Sequence, residues 1–141
     1  MACSIFLTAT VVKESILTSR QFAQIFGAIY LLVGIVGFVP QLVWNGALLG
    51  IFPINAWHDA VHIVLGLWGL ASAGSMARAV MYSRAFAVIL AVLGIYGLFG
   101  LYGPLPTDNI VPLGGNDAYL HLGSAVIAAY FGWGAPAKAA A

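Results

Sequence analysis

The sequence predicts an all-α membrane protein, with four transmembrane helices arranged as two repeated helical hairpins and both termini cytoplasmic. Three observations predict it. Of 141 residues, 62% are hydrophobic and 6% are charged, against roughly 25% charged in a soluble domain. Apolar stretches recur at lengths near the about 20 residues that a spanning helix needs. All five lysines and arginines fall on one side of the helices so defined.

Residues 1–20 read as an N-terminal arm lying at the membrane interface. A secretory signal carries its positive charge before the apolar region. Here Lys13, Glu14 and Arg20 come after Ile5-Phe6-Leu7 and Val11-Val12. Thr8, Thr10, Val11 and Val12 are β-branched, which disfavours a helix there. Cys3 is the single cysteine, so the chain forms no internal disulfide and has no paired-cysteine metal motif.

The four-helix domain is expected over residues 21–135. Span one covers about 22–42. Between Ile25 and Pro40 the Tyr30 hydroxyl is the only polar side-chain group, and Pro40 ends or kinks the helix. Gln41, Trp44 and Asn45 have interfacial character, since tryptophan favours the headgroup level. The connection 45–55 contains Ala47-Leu48-Leu49-Gly50-Ile51-Phe52-Pro53, too apolar for a solvated loop. It is expected to pack on the bundle or dip into the membrane, where its backbone must be buried or hydrogen-bonded.

Span two covers about 56–77, with Asn55 as N-cap and Asp59 in the first turns, where the helix dipole favours negative charge. A short connection with Arg78 and Arg84 is expected at 78–84, then span three at about 85–102. The proline- and glycine-bearing connection 103–116 leads to span four at about 117–133, and residues 136–141 form a short tail.

The two halves are related. Pro53, Ile54, Val61 and His62 match Pro112, Leu113, Leu120 and His121 at one offset of 59. Gly34-Ile35-Val36-Gly37 matches Gly94-Ile95-Tyr96-Gly97 at 60. Hairpins repeated in the same direction form a parallel repeat about an axis near the membrane normal. Lys13, Arg20, Arg78, Arg84 and Lys138 share one side, which the positive-inside rule makes cytoplasmic. Gly34 and Gly37, Gly66 and Gly69, and Gly94 and Gly97 are pairs spaced by three. Small residues let helix backbones approach closely in a membrane. They are expected to serve packing within the bundle, with dimerisation or docking to a larger complex as the other use.

Few groups can carry chemistry: His58, Asp59, His62, Asp117 and His121, with Asp108, Ser124 and the tyrosines in support. His58 and His62 are i,i+4, Asp59 and His62 are i,i+3, and Asp117 and His121 are i,i+4, so each hairpin offers a carboxylate–histidine pair. His62 lies roughly 9 Å inside its span at 1.5 Å per residue, short of the midplane. The leading expectation is a structural polar clamp, with Asn55, Asp59, Asn116 and Asp117 helping the histidines to pin the outer loops.

The first alternative is a cofactor site. His62, His121 and His58 would then offer imidazole to haem iron or to the magnesium of a chlorophyll-type pigment. The three histidines and an aspartate also suit zinc by ligand type. Their spacing forms no recognised motif beyond the i,i+4 pair, so no metal is expected. No Ser-His-Asp order, phosphate loop or paired acid appears, so no catalytic residues and no enzyme are expected. Spans one and three hold no ionisable group at mid-depth, which argues against proton conduction. A net charge of +1 without a basic stripe argues against nucleic acid.

Leu49-Gly50-Ile51-Phe52-Pro53-Ile54-Asn55, His58, Val61-His62 and Gly66 resemble the signature of domain of unknown function 4383. Gly34-Ile35-Val36-Gly37-Phe38-Val39-Pro40 resembles that family's first helix, and Asn116-Asp117 with Leu120-His121-Leu122 is similar to its last. The resemblance covers about residues 20–134 and leaves the arm outside. It implies a small four-helix membrane protein, mostly bacterial, of no established activity. Asp59 departs from the amide expected at its position.

The expected function is that of a non-catalytic accessory or structural subunit of a larger membrane complex, photosynthetic or respiratory. The alternatives are a haem- or pigment-binding protein and a small transporter or stress-response protein. The expected partners are the lipid bilayer, bound lipid, and other membrane subunits or further copies of the chain. The expected location is the bacterial cytoplasmic or photosynthetic membrane.

Overall fold

The computed structural model describes residues 17–100 and 111–134. Most of the arm, including Cys3 and Lys13, lies outside the described residues, as do Asp108 and the tail with Lys138.

Among the described residues the chain forms four α-helices. Helix α1 is Ser19–Val36, so it begins inside the stretch assigned to the arm. Its start is a capping box: Thr18 Oγ1 accepts from the Gln21 N–H at 3.3 Å, and Gln21 Oε1 accepts from the Thr18 N–H at 2.9 Å. It ends short of residue 42, with Gly37 as C-cap, and Pro40–Leu42 forms a separate 3₁₀ turn.

The apolar connection 45–55 folds into a small antiparallel sheet. Its strands are β1 (Val43–Trp44), β2 (Ala47–Leu48) and β3 (Phe52–Pro53). Asn45-Gly46 turns the first pair with φ of 53° and 75°, the two positive φ values that a tight type I′ turn needs. Leu48 is buried and β3 touches the fourth helix, so the segment packs on the bundle.

Helix α2 is Ala56–Ser72 and α3 is Met76–Leu98. The predicted connection at 78–84 is therefore corrected: the chain turns at 73–75, and Arg78 and Arg84 are helical. Ser75 caps α3, its Oγ accepting from the Arg78 N–H at 3.4 Å. Met76-Ala77-Arg78-Ala79-Val80-Met81 then holds no glycine or proline to stop a helix. Arg78 and Arg84 do not stop it either, since arginine propagates a helix well. Helix α4 is Asn116–Ala129 and runs into a π-helical turn, Tyr130–Gly134.

Helix α1 lies chiefly on α2, and α3 on α4. All six paired glycines face a neighbouring element. Gly66 and Gly69 meet Gly27 and Leu31 of α1, and Gly34 packs against the Asp59 carbonyl and Ile63. Gly94 packs against the Ala118 carbonyl and Leu122, and Gly97 against the Leu113 carbonyl. Gly37 faces the Asp59 carboxylate.

Helices α1 and α3 meet through buried aromatics. Phe22 lies 6.4 Å from Tyr82, and Phe26 lies 6.3 Å from Phe86. Tyr30 and Phe86 stand 4.8 Å apart.

The outward faces are apolar. Ile29 and Leu32, Val64 and Leu67, Val88 and Val92, and Val126 and Ile127 are all exposed. Two helices, α1 and α3, are long and apolar enough to cross a membrane. The described arginines gather at the end where α1 and α3 start. Arg20 Nε donates to the Ala73 carbonyl at 2.9 Å, and Arg84 Nε to the Gly132 carbonyl at 2.7 Å. Ser19 Oγ donates to the Phe131 carbonyl at 2.8 Å at the same end.

Candidate functional site

The described aspartates and histidines occupy the opposite end, where α2 and α4 start. Asn55 sets the first of these helices. Its side-chain oxygen accepts from the His58 N–H at 2.9 Å, which satisfies one of the free donors of the first turn. That fixes His58 and His62 one turn apart on the face turned to the bundle interior. Gly115, at φ 65°, leads the chain into α4 and has no side chain to cap it. Asp117 and His121 then stack one turn apart on the inner face of that helix.

The two faces meet. The His58 and His62 rings are 4.6 Å apart between centroids, and His58 and His121 are 6.3 Å apart and nearly parallel. One ring nitrogen from each of His58, His62 and His121 lies within 4.8 Å of the other two. Asp117 Oδ2 stands 3.1 Å from His121 Nδ1, a close electrostatic contact outside hydrogen-bond geometry. The four side chains are at most 7% exposed. Tyr30 packs edge-on against His62 at 4.8 Å, and its hydroxyl meets the Ser124 side chain. The carbonyls of Pro53 and Pro112 face His58.

Polar atoms in this cluster are incompletely satisfied: Nδ1 of His62 has no hydrogen-bond partner, the His58 ring has only the Pro53 and Pro112 carbonyls beside it, and His121 Nδ1 and Asp117 Oδ2 meet each other outside hydrogen-bond geometry. A buried polar group left without a hydrogen bond costs about 1–3 kcal/mol, and folded proteins keep few of them. Three buried imidazoles that converge with so few partners mark a place able to receive a further group.

The other candidate residues fall elsewhere. Asp59 does not pair with His62, which corrects the carboxylate–histidine pair expected in the first hairpin. Its carboxylate instead fills the space that Gly37 leaves on α1. There it lines an open groove of about 400 Å³ with Phe38, Pro40, Val43, Ile54 and Asn55. Asn116 is exposed in the first turn of α4, apart from the cluster. Of the four clamp residues, Asp117 meets a histidine ring and Asn55 holds the His58 backbone N–H.

Tyr30, which the sequence places only among the supporting tyrosines, is the one of them that touches the cluster's His62. Its signal was present, as the one polar group in the first apolar stretch. A porphyrin held by His62 would need open space beside that ring, and Tyr30 and His58 fill it. The cluster's dimensions suit a single ion.

No curated protein matches the chain, and no solved structure matches it. A family model described as a domain of unknown function (DUF4383) matches residues 20–134, a range that holds the whole histidine cluster and all four helices but for Ser19, the first residue of α1. The chain belongs to the DUF4383 family.

Proposed function

We propose that the chain is a small integral membrane protein whose four helices cross the bilayer as two hairpins with cytoplasmic termini. It serves there as a non-catalytic structural or accessory subunit of a larger membrane assembly. The observation that carries this reading is the exposed apolar surface. Large hydrophobic side chains such as Leu32, Val64, Val92 and Val126 stand more than half exposed on each of the four helices. A soluble monomer rarely exposes a contiguous apolar patch above a few hundred Å². In lipid the same side chains need no further cover.

The lengths of two helices support the reading. At 1.5 Å per residue α1 spans about 27 Å and α3 about 35 Å, against a hydrocarbon core of about 30 Å. Helix α4 is shorter and is extended by its π-helical turn. The Arg84 guanidinium, in the third turn of α3, reaches the Gly132 carbonyl at the end of α4, which suits an arginine directing its charge toward the interface. The match of Phe22 with Tyr82 and of Phe26 with Phe86 supports a parallel repeat, since each pair is 60 positions apart in sequence. The subunit role is supported by a surface whose apolar faces accept lipid or another helix equally well. An open groove of about 350 Å³ between α3 and α4, floored by Ala87, Ala91, Ala125 and Ala129, adds room for an acyl chain.

Two measurements test this. Cysteine labelling in oriented vesicles is expected to mark Cys3 from the cytoplasmic side, and Gly46→Cys in a Cys3→Ser background from the other. Labelling of both from one side rules out the topology. Purification in gentle detergent followed by mass spectrometry is expected to bring down a larger assembly. A lone 14.8 kDa species across mild detergents sinks the subunit role.

A further inference from the structure

We propose that His58, His62 and His121 bind one divalent transition-metal ion of the zinc class, with Asp117 as the positioning residue behind His121. The ion ties α2 to α4 and so joins the two hairpins.

The donor set comes first. Imidazole nitrogen is a preferred ligand of zinc and its neighbours in the first transition row. Three such nitrogens, all buried, converge within 4.8 Å of one another. Zinc–nitrogen bonds are about 2.0–2.1 Å, so nitrogens sharing a tetrahedral ion stand about 3.4 Å apart. Closing the trio onto an ion takes side-chain movements of roughly an ångström, with the helices left in place. The i,i+4 pair on α2 supplies two ligands from one rigid face, and the third comes from α4.

The surroundings point the same way. Metal-bound histidines commonly pass their other ring nitrogen to a carboxylate, which fixes the ring and strengthens the ligand. Asp117 Oδ2 stands 3.1 Å from His121 Nδ1, close enough to orient that ring when an ion is bound. The Pro53 and Pro112 carbonyls stand near His58 in a similar supporting position.

The competing account of the unpartnered atoms is buried water, which takes about three hydrogen bonds from otherwise unsatisfied groups. Water accounts for unpaired nitrogens of any residue type. It gives no reason for three histidines at one point with a carboxylate behind one of them. A dication also suits a site that has a carboxylate, Asp117, beside one of its ligands.

The test uses the full chain in detergent or nanodiscs, stripped with a chelator and checked for helicity by circular dichroism. Titration with Co²⁺ alone is expected to give visible d–d bands saturating at one equivalent per chain, and added Zn²⁺ to displace them. His62→Gln and His121→Gln, each still helical, are expected to lose stoichiometric binding. Asp117→Asn is expected to bind about 10- to 100-fold more weakly. X-ray absorption of the zinc-loaded wild-type protein needs no variant, and is expected to show multiple-scattering features from three imidazoles. A helical wild-type protein that binds less than a tenth of an equivalent overturns the proposal and leaves the water account. An absorption spectrum of oxygen ligands alone, or a helical His62→Gln/His121→Gln variant that binds like wild type, also overturns it.

Discussion

Replacing Gly66 by leucine is expected to abolish the folded state of the first hairpin. A side chain at this position would begin against the Leu31 backbone nitrogen, 2.7 Å from the Leu31 Cα and 2.8 Å from the Gly27 carbonyl oxygen. None of these neighbours is a flexible side chain that can swing away. The two helices must separate instead, and the separation spreads along the interface. Gly27 sits as tightly on the other side, where a Cβ would stand 2.7 Å from the Leu70 nitrogen. In a bilayer there is little hydrophobic drive to hold helices together, so their association rests on van der Waals packing. A gap of 0.5–1 Å forfeits roughly a quarter to a half of each contact's attraction.

Gly66→Ala is therefore expected to cost about 1–3 kcal/mol, the range of an overpacked core, and Gly66→Leu more than that. Gly123→Ala is the matched control. It lies in α4 with nothing within 4 Å of a built Cβ, and alanine gains up to about 1 kcal/mol of helix propensity over glycine. Unfolding in mixed detergent with rising dodecyl sulfate, followed by circular dichroism, reads both. Equal midpoints for Gly66→Ala and Gly123→Ala would remove the close approach as the basis of the hairpin.

Much of this arrangement was legible in the residues. The glycine pairs announced close contacts; most of their neighbours lie in the adjoining helix of the same hairpin, while Gly97 meets the Leu113 carbonyl ahead of α4 and Gly69 also meets Tyr82 of α3. Asn55 read correctly as a cap because capping needs only local geometry. His62 and His121 could be placed at similar depths by counting residues from the helix starts. What the chain does not display locally is azimuth between helices. The i,i+3 spacing of Asp59 and His62 allows a pair, and the choice against it depends on Gly37 of α1 opening a space for the carboxylate. The helix boundary at residues 73–75 was missed because charge was weighted above propensity. Arg78 and Arg84 looked like loop residues in an apolar chain, yet Ser75 caps a helix that runs through both.

The same dependence on packing makes Phe86→Ala the second large effect. Phe86 is fully buried and sits at the centre of the aromatic cluster. Its ring lies 4.8 Å from Tyr30, 5.0 Å from Tyr82, and 6.3 and 6.4 Å from Phe26 and Phe22. In a water-soluble core such a truncation costs about 3–5 kcal/mol. Part of that is transfer from water, which largely drops out where lipid is the solvent. The cavity and the lost contacts remain, and the expected loss is about 2–3 kcal/mol.

The consequence extends to the histidine cluster, because Tyr30 packs on Phe86 through one side and on His62 through another. Removing the Phe86 ring frees Tyr30 to shift and loosens the seat of His62. Phe86→Ala is thus expected to lower the unfolding midpoint and to broaden the imidazole resonances of His62 in the folded protein. Leu32→Ala, at an outward position on α1 that is 61% exposed, is expected to change neither. A Phe86→Ala variant as stable as Leu32→Ala would show that the helices are held by the glycine contacts alone. Lowered stability with unchanged His62 resonances would instead uncouple the aromatic core from the cluster.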